Sequence, residues 1–120
     1  MLSSYDKGIA AESLIVQQLI RNGYELLGRR IRTKYGEIDI LAFHENTVIA
    51  IEVKQRKTID IARECLTYRQ MRRISKALQF IISERGMMFE NYRIDVICLN
   101  QTGKYEHIVN AFAFETDTDL

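Results

Sequence analysis

The sequence of 120 residues predicts an α/β fold in which a mixed central β-sheet is flanked by helices. Three apolar segments with strand-like alternation follow one another between residues 24 and 55, and a fourth follows near residue 93. Segments with helical periodicity lie before the first of them and around residues 68–85. This order of elements is typical of a layered α/β architecture. The length fits one compact domain, so residues 1–120 are expected to form a single unit.

The first element is a predicted helix over residues 6–22. Ser3 and Asp6 have the spacing of a capping box, and Asn22-Gly23 is a stop signal. At about 100° per residue, one narrow sector of this helix holds Glu12 together with Ile9, Val16, Leu19 and Ile20. A carboxylate on a buried stripe needs a partner or a metal ion. The alternative is a partly exposed glutamate at the edge of the stripe, paired with an arginine.

Three strands are predicted next, at Tyr24–Arg32, Glu37–Phe43 and Thr47–Gln55. His44-Glu45-Asn46 fits a tight hairpin between the second and the third. The third strand is apolar on both faces from Val48 to Ile51, which favours a central position in the sheet. Its charged residues begin only at Glu52, near its C-terminal end.

The second half of the chain contains one clear helix, predicted over Tyr68–Arg85 and ended by Gly86. Its expected core stripe consists of Met71, Ile74, Leu78, Ile81 and Ile82. Residues 61–66, just before it, fit no element firmly. Strands are predicted at Arg93–Leu99 and Tyr105–Val109, and the acidic segment Glu115–Leu120 is expected to fray.

Acidic residues at the ends of two apolar strands indicate a candidate active site. Glu52 and Lys54 are two residues apart and share one face of a strand, and Asp39 can lie beside them on the neighbouring strand. Carboxylates so placed suit Mg²⁺ or Mn²⁺, which would serve phosphodiester hydrolysis. Asp39, Glu52 and the Val53 backbone carbonyl are the expected ligands, and Glu12 would join directly or through water. Lys54 would orient the attacking water or stabilise developing charge.

Each of these fragments also has a structural interpretation. A Glu-x-Lys triplet at a strand end is common, and an Asp near a turn usually lies on the surface. Asp95, inside an apolar strand, is expected to form a structural ion pair near Arg93 and to have no catalytic role. His44 and His107 are expected at turn or edge positions without triad partners, which leaves serine- or cysteine-type hydrolysis without support.

Charge is unevenly distributed along the chain, although its net value is only +1. Residues 21–76 contain 13 Lys or Arg against 7 Asp or Glu, whereas residues 77–120 contain 3 against 7. A basic middle suits a phosphate backbone, and a solvated surface is the alternative. The candidate nucleic-acid-binding residues are Arg29, Arg30, Arg32, Lys34, Arg56, Arg69, Gln70, Arg72, Arg73 and Lys76.

The sequence gives little support to a membrane-spanning or secreted protein. No apolar run approaches the ~20 residues that span a bilayer, and Met1–Asp6 lacks the pattern of a secretory signal. Cys65 and Cys98 are solitary, which favours reduced thiols and a cytoplasmic location.

Several motifs together resemble one family, the YraN-like family of predicted bacterial endonucleases. They are Gly8-x-x-x-Glu12, Asn22-Gly23-Tyr24, Gly36-Glu37-Ile38-Asp39, Glu52-Val53-Lys54-x-Arg56, Gln70-x-x-Arg73, Arg93-x-Asp95-Val96 and Asn110-Ala111-Phe112. That family is similar to the PD-(D/E)xK superfamily, which includes archaeal Holliday junction resolvases. The resemblance implies a restriction endonuclease-like core, with Glu12, Asp39, Glu52 and Lys54 as the catalytic set.

Three functions compete at this stage. The first is a Mg²⁺- or Mn²⁺-dependent DNA endonuclease selective for branched structures such as Holliday junctions, with single-stranded DNA as a further partner. A homodimer would let two sites cut two strands. The second is a nucleic-acid-binding module that keeps the nuclease-like fold without turnover. The third is a protein-interaction domain, which salt-dependent DNA binding would exclude.

Overall fold

A five-stranded mixed sheet lies between helices in the computed structural model, which describes residues 3–87 and 91–112. The helices are α1 (Ser4–Arg21), α2 (Ile59–Glu64) and α3 (Tyr68–Glu84). The strands are β1 (Glu25–Thr33), β2 (Gly36–His44), β3 (Thr47–Gln55), β4 (Asn91–Leu99) and β5 (Tyr105–Phe112). This confirms the predicted fold class, and the arrangement is compatible with a restriction endonuclease-like core. The predicted acidic tail lies outside the described residues.

The strand order is β1-β2-β3-β4-β5, so β3 is the central strand, as its apolar faces predict. The strands β3 and β4 are parallel, whereas all other neighbours are antiparallel. A parallel pair needs a long crossover, and α2 with α3 supplies it. The two residues Glu45 and Asn46 form the β2–β3 turn with positive φ angles, as a tight hairpin requires.

The sheet separates two apolar cores. On one face, Ile15, Val16 and Leu19 of α1 pack on Ile40, Ile49 and Ile97 of the sheet. On the other face, Met71, Ile74 and Leu78 of α3 pack on Leu41, Ala50 and Val96. Helix α1 begins at its predicted cap, because the Ser3 hydroxyl accepts a hydrogen bond from the Asp6 amide at 3.1 Å. Each face of the sheet is thereby covered by a helix and an apolar core.

Two details of the helices differ from expectation. Ile20, expected on the buried stripe of α1, is 53% exposed, because the stripe is centred on Ile15 and Ile20 lies beyond its edge. The segment that fitted no element overlaps α2, a helix of six residues capped by Thr58, whose side chain accepts a hydrogen bond from the Ile61 amide. Within the described residues, no helix combines the length and apolarity needed to cross a bilayer.

Candidate functional site

The candidate site lies where β2 and β3 separate. Their ladder runs from His44↔Thr47 to Ile40↔Ile51, and Asp39 is the next residue of β2. The Val53 amide of β3 donates a hydrogen bond to Asp39 Oδ2 at 2.9 Å, in place of a backbone partner on β2. This bond fixes the Asp39 carboxylate beside the polar end of β3.

Glu52 and Lys54 of β3 lie next to Asp39. The Lys54 ammonium Nζ is 3.3 Å from Glu52 Oε1, and their side chains are only 14% and 10% exposed. The Asp39 and Glu52 carboxyl groups are within hydrogen-bonding reach of each other. The structure thus brings together the three residues that the strand pattern placed near one another, and their catalytic role stays a prediction.

The carboxyl groups of Asp39 and Glu52 are close together and poorly hydrated, so ionising both has a high free-energy cost. Burial raises the pKa of Glu52 to about 8, and the neighbouring charge of Asp39 adds to the effect against the opposing pull of Lys54. Burial raises the pKa of Asp39 as well, although its hydrogen bonds from Val53 and Glu52 counteract the change. Burial thus holds the pKa of each carboxyl group above its ordinary value, so ionising both of them at neutral pH is unfavourable.

Glu12 of α1 is buried, at 7% exposure, and approaches this site from the helix. Arg30 Nη1 donates to Glu12 Oε2 at 3.2 Å, whereas Oε1 accepts no hydrogen bond and lies 4.0 Å from Arg29 Nη2. Burial raises the pKa of Glu12, and the charge of Asp39 raises it further. The alternative interpretation of Glu12 predicted an arginine partner, which is confirmed, and partial exposure, which is wrong.

A groove of about 320 Å³ joins Glu12 to the end of β3. Its other lining residues are Lys7, Gly8, Ala11, Val53, Gln55 and Arg56. Lys7 was not foreseen as part of this region. Lys7 precedes Glu12 by five residues, which places it about 140° away around the helix, so helical periodicity offered no signal for it.

The carboxylate oxygens of this region fit a divalent cation in part. Across residues 3–87 and 91–112, no three His, Cys, Asp or Glu side chains group closely enough to hold a metal ion. Glu12 thus does not join Asp39 and Glu52 as a third close carboxylate. The remaining oxygen pair still suits Mg²⁺ or Mn²⁺, which accept one or two carboxylates and keep several waters. Burial raises the pKa of Glu52 and of Glu12, and the charge of Asp39 raises both further, so a cation bound beside these carboxyl groups would relieve this cost.

The predicted nucleic-acid-binding residues fall into two groups. On β1, Arg29 and Arg30 bind Glu12, and Arg32 lies 3.4 Å from Glu37. Arg29 and Arg30 are half-buried beside Glu12 and are less available to phosphates than the sequence suggested, whereas the Arg32 side chain is 86% exposed and stays accessible. Arg56, beyond β3, is exposed, and its Nη1 donates to the Gln55 carbonyl at 2.7 Å.

The second group lies on α3 and the β1–β2 hairpin. Arg69, Arg73 and Lys76 are exposed along α3, whereas Gln70 and Arg72 are half-buried. Arg73 borders the hairpin, since a Cβ placed on Gly36 would lie 3.8 Å from the Arg73 Cβ. Lys34, at the hairpin tip, is exposed. The exposed cationic surface is therefore centred on α3 and this hairpin, and its contact with nucleic acid stays a prediction.

Asp95 of β4 forms a separate buried cluster. Arg93 Nε donates to Asp95 Oδ1 at 3.0 Å, which confirms the predicted ion pair. His107 of the edge strand β5 also contacts Asp95, with Nε2 2.8 Å from Oδ2, and the Asn110 amide donates to Oδ1 at 2.8 Å. The expectation that His107 lacks a carboxylate partner was wrong, because β5 pairs next to β4. No serine or cysteine contact with His107 is seen among the described residues, so a nucleophile triad has no support.

A sequence profile matches residues 11–99, and its description is the uncharacterised protein family UPF0102. A UPF0102 protein of Granulibacter bethesdensis is 35% identical over 92% of this chain and 70% of its own length. One of Ruegeria pomeroyi is 38% identical over 88% of this chain and 86% of its own. One of a Sulfurihydrogenibium species is 38% identical over 91% and 96%. From the profile match and these relatives, the chain belongs to the UPF0102 family.

Proposed function

We propose that this chain is a Mg²⁺- or Mn²⁺-dependent DNA endonuclease that acts on branched DNA. The observation that carries the proposal is the pair formed by the half-buried Asp39 and the buried Glu52, with Lys54 Nζ 3.3 Å from Glu52. A carboxylate pair kept at such cost, with a lysine beside it, suits hydrolysis of a phosphodiester better than a structural ion pair. The resemblance to nucleases stated above is consistent with this choice.

Each residue of the site has a distinct task in this proposal. Asp39 and Glu52 would hold the divalent cation, and the Val53 amide fixes the orientation of the Asp39 carboxylate. A cation held there would supply positive charge against the phosphoryl oxygens and make water more acidic. Lys54 orients the attacking water and stabilises the charge that develops on the phosphate. Glu12, held by Arg30, adds negative potential at the edge of the site and acts through water.

Selectivity for structure rather than sequence is part of the proposal, because the exposed cations lie on a helix and a hairpin that border the sheet and suit phosphate contacts. The exposed cations of α3 suit contact with the phosphate backbone, which carries no sequence information.

The proposal is tested by incubating a labelled four-way junction, a linear duplex and a single strand with the chain in Mg²⁺, Mn²⁺ or EDTA. We expect metal-dependent cutting of the junction that falls at least about a thousandfold in Glu52→Gln. Glu25→Gln, which changes an exposed glutamate at the start of β1, serves as the matched control and should cut normally. Salt-dependent binding without cutting in any metal would overturn the enzyme and favour the non-catalytic binding module.

A further inference from the structure

The tip of the β1–β2 hairpin carries an aromatic side chain on a rigid support. Thr33 pairs with Gly36, so Lys34 and Tyr35 are the only two loop residues. The Thr33 hydroxyl accepts hydrogen bonds from the Tyr35 and Gly36 amides at 3.1 and 3.2 Å and donates to the Gly36 carbonyl at 2.8 Å. Gly36 has a φ of 149°, which favours glycine there. The Tyr35 ring, 39% exposed, is thus presented from a fixed turn.

Tyr35 forms a cationic aromatic pocket together with α3. Its ring meets the Phe80 ring edge to face, with centroids 5.9 Å apart. The Lys34 ammonium lies 5.3 Å from the Tyr35 centroid and 5.5 Å from the Phe80 centroid. A cavity of about 320 Å³ opens here, and its lining residues are Tyr35, Lys76, Gln79, Phe80 and Ser83.

We infer that this pocket binds an unpaired base of single-stranded DNA, by stacking on Tyr35 with the flanking phosphates on Lys34 and Lys76. Aromatic platforms within a positively charged groove are how proteins hold single strands without reading their sequence. The charge of the pocket and of the neighbouring Arg73 favours a polyanion over an apolar partner. This inference rests on the proposed function. It adds that the DNA substrate contains an unpaired base, which this pocket holds.

The position of the pocket relative to the candidate site supports this occupant. Tyr35 precedes Asp39 by four residues of extended chain, or about 13 Å along β2. A strand whose unpaired base stacks on Tyr35 would therefore reach Asp39 and Glu52 within a few nucleotides. Branched DNA offers such a base where its paired arms end. The pocket would thereby place the junction between α3 and the candidate active site.

The absence of tryptophan from the sequence gives a direct spectroscopic test. Tyr35→Trp creates a single fluorophore in the pocket, and Tyr105→Trp creates one on β5 at a position of matched exposure, 38%. Binding of a twelve-nucleotide oligothymidylate in EDTA should quench the fluorescence of the Tyr35→Trp variant. The fluorescence of the Tyr105→Trp variant should stay unchanged. Quenching of neither variant, or equal quenching of both, would overturn the inference.

Affinity for the same oligonucleotide provides the second measurement, by fluorescence anisotropy in EDTA. We expect about a tenfold loss in Tyr35→Ala, near-normal binding in Tyr35→Phe, and near-normal binding in Tyr105→Ala. Normal affinity of Tyr35→Ala would overturn the pocket. Because EDTA excludes cleavage, that failure is separate from the junction-cutting assay, which alone decides the proposed function.

Discussion

Two buried carboxylate clusters lie on adjacent strands, and they differ in how the chain satisfies them. Asp95 of β4 is opposite Ile51 of β3 and is fully buried. Burial alone would raise the pKa of Asp95, but hydrogen bonds from His107, Asn110 and Arg93 outweigh it and hold that pKa below its ordinary value. Glu52, one residue beyond Ile51, faces Lys54 and the like charge of Asp39, and its pKa rises to about 8.

The two clusters differ in whether the chain alone supplies enough hydrogen-bond donors. We call the Asp95 cluster closed, because its donors are all present, and the Asp39–Glu52 cluster open. Around Asp95 the chain supplies three donors, so nothing from outside is needed and the charge contributes to folding. At Asp39 and Glu52 the chain supplies one ammonium and one amide for two carboxyl groups. The first cluster holds β4 and β5 together, whereas the second has capacity for a cation. The following predictions test that division, from the largest expected effect to the smallest.

Removal of the closed carboxylate should unfold the protein more readily. Asp95→Ala leaves Arg93 and His107 without their buried partner, and we expect the free energy of unfolding to fall by about 4 kcal/mol. Urea denaturation measures the change. Asp60→Ala is the matched control, because its ion pair with Arg63 is exposed and should be worth no more than about 0.5 kcal/mol. Similar losses in the two variants would contradict a structural role for Asp95.

Removal of the lysine should affect catalysis in the open cluster far more than folding. We expect Lys54→Met to reduce the rate of junction cleavage about a hundredfold, because the developing charge loses its nearest cation. Single-turnover kinetics with saturating metal measures this effect. Mn²⁺ binding should persist, since Asp39 and Glu52 remain. A variant that cuts normally would remove Lys54 from the proposed mechanism.

The two clusters should give opposite pH dependences of stability. The folded-state pKa of Glu52, about 8, exceeds its ordinary value of 4.5, so the folded state binds more protons between those limits. Stability in EDTA should therefore fall by about 2 kcal/mol between pH 6 and pH 8.5. Asp95 has a lowered pKa, and its stabilisation should be lost only in acid, below its ordinary value of 3.8.

Glu52→Gln separates these two contributions. The variant cannot ionise at position 52, so its stability should stay nearly constant from pH 6 to pH 8.5 while its acid denaturation matches that of the wild type. Chemical denaturation at each pH provides the comparison. A wild type whose stability rises across the alkaline range would contradict the assignment of the open cluster.

Much of this arrangement was predictable because it is local in sequence. The continuous apolar run of β3 from Val48 to Ile51 predicted its central position, and the spacing of Glu52 and Lys54 predicted their common face. The bounds of β3 match the prediction fully, and those of α3 differ by one residue. Helix α2 was missed because six residues carry too little periodicity to distinguish a helix from a loop.

The rest depends on contacts between distant residues. The contact between His107 and Asp95 arises only when β5 pairs with β4, with a register shift next to Asp95. Glu12 accepts a hydrogen bond from Arg30, which lies eighteen residues later in the chain. The helical pattern of α1 could not reveal this contact. The Tyr35–Phe80 pocket likewise requires α3 to pack against the hairpin. Local patterns identified the residues of the candidate site, whereas only tertiary packing determines which charges are already paired.

Calorimetric titration with Mn²⁺ at pH 7 tests most directly whether the Asp39–Glu52 cluster is open to a cation. Repeating the titration in buffers of different ionisation enthalpy counts the protons released. The wild type should bind Mn²⁺ and release a proton, because ligand carboxyl groups must lose theirs and the pKa of Glu52 is about 8. Glu52→Gln should neither bind Mn²⁺ nor release a proton. Equal Mn²⁺ binding by the two proteins, or none by the wild type, would contradict the account.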